Sequence, residues 1–145
     1  MKLTDLEVTR QIPATPEEVY DVWIDPTSPG GPWFSPQADG MSSKILFTAA
    51  VDGLFYHCVT NKGQAWAHYG RFIKLERGKL AEHTWVGEWT KGRESVVTTT
   101  FQAKDGGTLV TLRHTGVPDD EEGRRHAQGW AWCLSMLADK MGSKK

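Results

Sequence analysis

Six strand-like segments follow one another between Lys44 and Thr115, and this succession constrains the fold more than any other feature of the chain. They cover residues 45–50, 54–60, 65–75, 80–88, 95–103 and 108–114. Tight turn signals separate several of them, namely Asp52-Gly53, Arg77-Gly78 and Asp105-Gly106. Because strands joined by short turns pair antiparallel, we predict an antiparallel meander.

A further strand and a short helix are predicted before the meander. Apolar and polar residues alternate over residues 6–12, which indicates a first strand that ends at Pro13. Thr15 then supplies an N-cap, Pro16 suits the first helical position and Glu18 completes a capping box. The next stretch, residues 25–40, is rich in Gly and Pro and is predicted to be a loop or a broken second helix that carries Trp33.

The chain ends in a predicted amphipathic helix of about 23 residues, or about 34 Å by helical rise. Carboxylates precede it from Asp119 to Glu122, and its apolar stripe consists of Ala127, Trp130, Leu134, Leu137 and Met141. Only a curved sheet can wrap around a helix of this length. We therefore predict an α+β fold formed by residues 1–145 as one domain, with residues 142–145 as a disordered tail.

Charge and apolar content exclude two classes of partner. The chain has 145 residues, with 17 Lys and Arg against 18 Asp and Glu, so it lacks the basic excess that nucleic-acid binding requires. It has no apolar run near the roughly 20 residues that span a bilayer and no apolar leader segment. We expect a cytoplasmic protein without membrane insertion, in which Cys58 and Cys133 are reduced and partly buried.

The seven tryptophans are the unusual part of the composition. Each indole buries a large area but carries an N–H that requires a partner, so Trp-rich interiors are typical of cavities and interfaces. A flat, apolar guest is expected.

Turn positions predict which residues share a face of the sheet. If Glu76 and Lys79 flank the Arg77-Gly78 turn, the facing pairs are Phe72 with His83, Gly70 with Trp85, and Trp66 with Trp89. An aromatic ring across from a glycine fills the space of the missing side chain, and this favours the register in which the Trp85 ring covers Gly70. The Asp105-Gly106 turn likewise pairs Phe101 with Val110, Thr99 with Leu112, and Val97 with His114.

These registers, the C-terminal helix and the Gly/Pro-rich segment together predict a lined cavity. The expected ligand-binding residues are Trp33, Trp66, His68, Phe72, His83, Trp85, Thr99, Leu112, His114 and Trp130.

No metal or catalytic constellation is predicted. His68 and His83 are about four residues out of register, roughly 13 Å apart at strand rise, which is too far for ligands that must converge on one ion. His126 could face either way. Neither Ser95 nor Ser135 lies in a nucleophile elbow, and no glycine cluster has the context of a phosphate loop. We therefore assign no catalytic residue, metal or cofactor.

The order of short motifs along the chain carries a family resemblance. They are Ile12-Pro13-Ala14 with Pro16-Glu17-Glu18-Val19 and Trp23, Asp25-Pro26, Trp33-Phe34, Gly70-Arg71-Phe72, Thr84-Trp85, Ser95 with Val97-Thr98 and Phe101, Gly107-Thr108, and His114-Thr115-Gly116 with His126, Gly129-Trp130 and Leu134. From about Leu3 to Met141 the chain resembles the START-like, pollen-allergen-like helix-grip superfamily (SRPBCC), and within it the homologues of the activator of heat-shock-protein-90 ATPase.

The resemblance implies a helix-grip fold, in which a curved seven-stranded antiparallel sheet grips a long C-terminal helix, with one or two short helices after the first strand. It also implies a small-molecule cavity between sheet and helix. The chain departs from the family pattern at His68 and His83, where apolar residues are common, which suggests a ligand with a hydrogen-bond acceptor or an acidic group.

Three functions follow as hypotheses. The leading one is a non-catalytic carrier or sensor of a small apolar or aromatic molecule, acting as a monomer or weak homodimer. The second is a cyclase- or hydrolase-type enzyme with His83 or His114 as general base. The third is a chaperone-related protein-interaction module that uses Trp33 and the outer face of the sheet.

Overall fold

The computed structural model describes residues 1–25 and 41–142, and within them the predicted strands form one curved antiparallel sheet. The strands are β1 (Leu3–Ile12), β2 (Met41–Phe47), β3 (Leu54–Asn61), β4 (Gln64–Glu76), β5 (Leu80–Gly87), β6 (Ser95–Lys104) and β7 (Gly107–Pro118). Their order in the sheet is β1-β7-β6-β5-β4-β3-β2. The meander is confirmed, and β1 joins it by pairing with the last strand.

The first helix, α1 (Pro16–Trp23), begins where the sequence predicts. Oγ1 of Thr15 accepts a hydrogen bond from the backbone N–H of Glu18 at 3.2 Å, and its hydroxyl donates to Oε1 of Glu18 at 2.9 Å. The predicted N-cap is confirmed, although the Glu18 carboxylate contacts the Thr15 hydroxyl.

The C-terminal helix is shorter than predicted because it is divided at Arg125. A single turn, α2 (Glu121–Arg124), precedes α3 (His126–Gly142), which has 17 residues. Nδ1 of His126 lies 2.8 Å from the carbonyl oxygen of Gly123 and competes with the backbone N–H that this carbonyl would accept in a continuous helix. The first buried residue of α3 is His126, whereas Ala127, the first residue of the predicted apolar stripe, is half-buried. The predicted tail beyond Gly142 lies outside the described residues.

The β4–β5 hairpin reaches the predicted register by a different route. Glu76 pairs with Leu80 across a turn of three residues, not with Lys79 across two. A bulge between Phe72 and Lys74 shifts the register by one residue, so Phe72 pairs with His83 as predicted.

Two other predictions for this hairpin are wrong. Trp66 does not face Trp89, because β5 ends at Gly87 and Trp89 lies in a 3₁₀ turn, Glu88–Thr90. The ring nearest to the missing side chain of Gly70 is that of Phe55 on β3, whose Cε2 would lie 2.7 Å from a Cβ at that position.

The β6–β7 hairpin is confirmed in every predicted pair. Its partners include Phe101 with Val110, Thr99 with Leu112, and Val97 with His114. These residues share the inner face of the sheet, against which α1 and α3 pack. The fully buried large side chains are Ile12, Val19, Trp23, Phe72, His83, Val97, Val110, Leu112, His114, Leu134, Leu137 and Met141.

Candidate functional site

All five histidines of the chain gather in one aromatic cluster on the inner face of the sheet. We call it the His–Trp cluster; its members are His57, His68, His83, Trp85, His114, His126 and Trp130. Its floor is formed by β3 to β7, and α3 contributes the last two members. The cluster is the most distinctive chemical feature of the described chain.

One end of the His–Trp cluster is a stack of three rings across neighbouring strands. His57 and His68 are register partners on β3 and β4, and their ring centroids lie 6.1 Å apart at an interplanar angle of 25°. His68 stacks in turn on Trp85, with centroids 4.6 Å apart at 22°. The stack extends from a buried indole to half-buried imidazoles.

A glycine makes room for the middle ring of this stack. A Cβ at Gly87 would lie 2.6 Å from Cδ2 and 3.4 Å from Nε2 of His68. The Cδ2–Nε2 edge of the ring therefore lies over the backbone of β5, and Nδ1 is on the opposite edge.

At the other end, α3 closes over the sheet through Trp130. Its indole lies 4.8 Å from that of Trp85 in an edge-to-face arrangement, and 6.4 Å from Trp23 of α1. Its N–H donates to Nδ1 of His114 at 3.0 Å. Helix and sheet are thus joined by a buried polar contact inside an aromatic environment.

This contact fixes the tautomer of His114. An indole N–H can only donate, so Nδ1 accepts and Nε2 carries the proton of the neutral ring. Nε2 lies 2.7 Å from Oγ of Ser95 and donates to it, and Ser95 donates onward to the carbonyl oxygen of Trp85 at 2.6 Å. The pKa of His114 is lowered to about 2, mainly by burial and to a lesser extent by the neighbouring histidines.

The Ser95–His114 pair runs in the opposite sense to a nucleophilic dyad. A general base must accept the hydroxyl proton, whereas His114 donates to the hydroxyl and its lone pair already receives the Trp130 N–H. The geometry is that of a structural linkage, and it counts against His114 as a general base.

His83 is enclosed by aromatic rings. It is 0% exposed, and its ring lies 5.1 Å from Phe55 and 5.7 Å from Phe72 in edge-to-face contacts. Its Nδ1 donates to the carbonyl oxygen of Thr84 at 2.9 Å. Burial lowers the pKa of His83 to about 4, so the ring is neutral near pH 7.

Three buried polar atoms between the sheet and α3 have no hydrogen-bond partner within the described parts of the chain. They are Nδ1 of His68, Nε2 of His126 and Oγ1 of Thr99. Burial lowers the pKa of His68 to about 3 and also lowers that of His126. Since more than about 90% of buried polar groups are normally paired, three such atoms in one interior require an explanation.

The predicted site residues fall into two groups by burial. The buried ones are Phe72, His83, Trp85, Thr99, Leu112, His114 and Trp130. Trp66 and His68 are half-buried. Trp33 lies outside the described residues.

Sequence reasoning missed His57, although a signal for it existed. Lys62 and Gly63 form a two-residue turn with φ of 52° and 80°, and Asn61 pairs with Gln64 across it. Extending that register places His57 opposite His68. His126, whose orientation was open, faces the cluster, with its ring 4.8 Å from that of His114.

Neither a metal centre nor a membrane-spanning segment is found in residues 1–25 and 41–142. There, no three His, Cys, Asp or Glu side chains are placed to hold one ion. No helix of these ranges has the length and apolar character needed to cross a bilayer.

The outer face of the sheet carries a second candidate surface. Leu46, Tyr56 and Tyr69 are successive register partners on β2, β3 and β4, and Leu54 lies beside them. All four side chains are exposed, Leu54 by 69% and Tyr69 by 55%. They line a shallow apolar depression of about 520 Å³. We call it the outer apolar surface.

Comparison with solved structures supports the fold. Protein CV1439 from Chromobacterium violaceum is 25% identical, with a TM-score of 0.80 over 95% of this chain and 97% of that one. A protein from Rhodobacter sphaeroides is 19% identical, with a TM-score of 0.80 over 99% of both chains. Protein MLL2253 from Mesorhizobium loti is 21% identical, with a TM-score of 0.74 over 98% of this chain and 99% of that one.

Among curated protein sequences, none gives a significant match. The model of one family, described as Activator of Hsp90 ATPase homolog 1-like protein, matches residues 13–142. Of the described elements, that range contains β2 to β7 together with α1, α2 and α3. Fold and family match agree, and the chain belongs to the family of Activator of Hsp90 ATPase homolog 1-like proteins.

Proposed function

We propose that the protein binds a small aromatic or hydrophobic molecule between the inner face of the sheet and α3, as a carrier or sensor. The fold of this family is commonly a ligand-binding one. The observation that carries the proposal is a pair of buried polar atoms, Nδ1 of His68 and Nε2 of His126, that have no hydrogen-bond partner among the described residues and lie in an aromatic interior. A guest that pairs with them would remove a cost of about 1–3 kcal/mol per atom.

The half-buried end of the His–Trp cluster is the proposed contact region. Trp66 and His68 are on β4, and Val59 faces Trp66 from β3 on the same side of the sheet. A flat molecule placed here would add one more ring to the stack that His57, His68 and Trp85 already form. The buried residues Phe72, His83 and Leu112 would form the wall behind it, with Trp130 on the helix side.

The proposal includes no catalytic step. His114 has its lone pair engaged by Trp130, and His83 has no exposed surface and is surrounded by Phe55 and Phe72. These two were the candidate general bases. Their environments favour a structural role in the wall of the site.

Binding is tested with a panel of one- to three-ring aromatic molecules and medium-chain fatty acids. We expect at least one aromatic compound to raise the melting temperature and to change tryptophan fluorescence in a saturable manner, since a ligand at 100 times its Kd stabilises by about 2.7 kcal/mol. Trp66→Ala should weaken that binding, whereas Tyr69→Ala, on the same strand but the opposite face, should not. A panel without any saturable response, or equal effects of the two variants, would contradict the proposal.

A protein-interaction role is the second candidate, favoured by the outer apolar surface. Monomers rarely expose contiguous apolar side chains such as Leu46, Leu54, Tyr56 and Tyr69 without use. Under this alternative, Tyr69→Glu would abolish capture of a partner protein and leave binding of aromatic molecules unchanged. If the variant captured the same partner as the wild type, this role for the surface would be rejected.

A further inference from the structure

We infer that the bound molecule donates a hydrogen bond to Nε2 of His126, from a phenolic hydroxyl or an aromatic N–H. This inference rests on the proposed function and names the chemical class of its ligand. It differs from the expectation from sequence, which was a ligand with an acceptor or an acidic group.

The hydrogen bond at the other ring nitrogen fixes the position of the proton on His126. Nδ1 lies 2.8 Å from the carbonyl oxygen of Gly123. A carbonyl oxygen can only accept, so Nδ1 carries the proton and donates it. In a neutral imidazole the second nitrogen then has a lone pair and no proton. Nε2 of His126 is therefore a hydrogen-bond acceptor as long as the ring is neutral.

The surroundings of His126 favour the neutral ring. The residue is 6% exposed, and its ring makes edge-to-face contacts with His114 at 4.8 Å and with Trp89 at 5.9 Å. Neither of these rings has a negative charge that could hold a second proton on His126. Burial lowers the pKa of His126, although the hydrogen bond to Gly123 acts in the opposite direction.

The carboxylates just before α3 are paired with a lysine. Nζ of Lys91 lies 2.9 Å from Oδ2 of Asp120 and 3.7 Å from Oε1 of Glu122. The ring of His126 is thus neutral near pH 7.5, and its acceptor attracts a donor and repels an anion.

This acceptor is buried without a donor. Nε2 of His126 has no hydrogen-bond partner within residues 1–25 and 41–142. Leaving such an atom unpaired costs about 1–3 kcal/mol, so a ligand that supplies a donor recovers that cost. Nε2 is also the ring nitrogen farther from Cβ, and the ring contacts His114 on β7. The atom therefore projects from α3 toward the sheet, on the side where the proposed ligand lies.

A continuous set of rings connects this acceptor to the proposed contact region. The ring of His126 lies 4.8 Å from His114, His114 lies 6.5 Å from Trp85, and Trp85 lies 4.6 Å from His68. A flat molecule along these rings meets aromatic surface with its faces while a donor at its edge reaches His126. The same site thus selects for shape through the rings and for chemistry through Nε2.

Isothermal titration calorimetry at pH 7.5 compares three probes of one shape. They are 2-naphthol, which donates a hydrogen bond, 2-methoxynaphthalene, which only accepts, and 2-naphthoate, which is an anion. We expect 2-naphthol to bind about tenfold more tightly than 2-methoxynaphthalene, and 2-naphthoate to bind most weakly.

Three results would overturn the inference and leave the proposed function intact. The first is equal binding of 2-naphthol and 2-methoxynaphthalene, as when a buried water pairs with Nε2 instead. The second is tightest binding of 2-naphthoate, and the third is failure of 2-naphthol to bind while another aromatic compound of the panel does. No binding by any probe, together with a silent panel, would instead reject the proposed function.

Two substitutions of His126 separate the roles of its nitrogens. An Asn side chain places its amide nitrogen near the position of Nδ1, so His126→Asn can still donate to Gly123 but has no group at the position of Nε2. A Gln side chain can place its amide oxygen there, so His126→Gln keeps an acceptor. We expect the preference for 2-naphthol to fall to about twofold or less in His126→Asn and to be larger in His126→Gln. Gln128→Asn, exposed on the same helix, is the control and should retain the tenfold preference. Equal preferences in the two His126 variants would overturn the inference.

If either His126 variant fails to fold, the ¹⁵N resonances of His126 in the wild-type protein provide the test. In the free protein Nδ1 should resonate as a protonated nitrogen and Nε2 as an unprotonated one. Binding of 2-naphthol should move the Nε2 resonance to lower chemical shift, whereas 2-methoxynaphthalene should leave it in place. A protonated Nε2 in the free protein, or an unchanged Nε2 resonance with 2-naphthol bound, would refute the inference.

Discussion

The indole N–H of Trp130 donates to Nδ1 of His114 across 3.0 Å, and this bond joins α3 to the inner face of β7. It also sets the direction of the two bonds that follow it, through Ser95 to the carbonyl oxygen of Trp85. The donors and acceptors of this buried chain of hydrogen bonds all run in one direction. Each member can therefore be tested by removing its donor or its acceptor.

Trp130→Phe should destabilise the fold because it leaves Nδ1 of His114 buried without a donor. We expect a loss of about 1–3 kcal/mol in the free energy of unfolding beyond the lost ring area, measured by urea denaturation. The matched control is Trp66→Phe, which makes the same substitution at a half-buried tryptophan. If the two variants lost equal stability, the hydrogen bond to His114 would have no measurable role.

Ser95→Ala should cost about 1–3 kcal/mol in the free energy of unfolding, because the N–H of His114 Nε2 loses its acceptor. Ser135→Ala, in the half-buried part of α3, should change stability by less than about 0.5 kcal/mol. Ser95 accepts a hydrogen bond from His114 and is not activated by it, so the serine reagent phenylmethylsulfonyl fluoride should not modify Ser95. A mass increase localised to Ser95 would show that the Ser–His pair acts as a nucleophile after all.

Stability should fall as the pH drops below about 6.5. The pKa of His83 lies at about 4 and that of His114 at about 2, both lowered by burial, while the ordinary value is 6.5. Below pH 6.5 the unfolded chain therefore binds protons that the folded chain does not, and above it these two rings contribute no pH dependence. We expect about 3 kcal/mol less stability at pH 5.5 than at pH 7.5 from the two rings together.

Urea denaturation at the two pH values measures this loss, and the ring C–H resonances of His83 and His114 serve as the internal check. Both should show no titration above pH 5. Stability that is equal at pH 7.5 and 5.5 would contradict the burial of neutral histidines.

Gly87→Ala should weaken binding of aromatic probes more than it lowers stability. The new methyl group would lie 2.6 Å from Cδ2 of His68, so the ring must leave its place on Trp85. Gly129→Ala is the control, because a Cβ there meets nothing within 4 Å and the residue lies inside α3, where alanine is favoured by about 1 kcal/mol. We expect Gly129→Ala to stabilise the protein and leave binding unchanged, as measured by thermal shift and calorimetry. Unaltered probe affinity in Gly87→Ala would separate the His68 stack from the binding site.

The sheet could be predicted from sequence where a tight turn fixed the register. The Asp105-Gly106 turn gave the β6–β7 pairs correctly, because both residues adopt positive φ, 51° and 78°, as a two-residue turn requires. The Arg77-Gly78 turn was assigned one residue too short, and the pair Phe72–His83 was still correct because a bulge offsets the error. Sequence contains no marker for that bulge.

The polar chemistry of the site was not predictable in the same way. Which nitrogen of His114 carries the proton depends on Trp130, which is distant in sequence, and the place of the His68 ring depends on its close contact with Gly87. The turn rules gave the face on which each histidine lies. The hydrogen-bond direction required the helix to be in place.

The bulge at Ile73 separates the end of the β4–β5 hairpin from its middle. Between the bulge and the turn the strands pair in one register, and beyond the bulge they pair in another that includes His68 and Gly87. Residues 77–79 can therefore change in length during evolution, provided that the bulge changes with them, while the cluster stays in alignment. The length of the turn and the presence of the bulge are therefore linked, and together they keep His68 in line with Gly87.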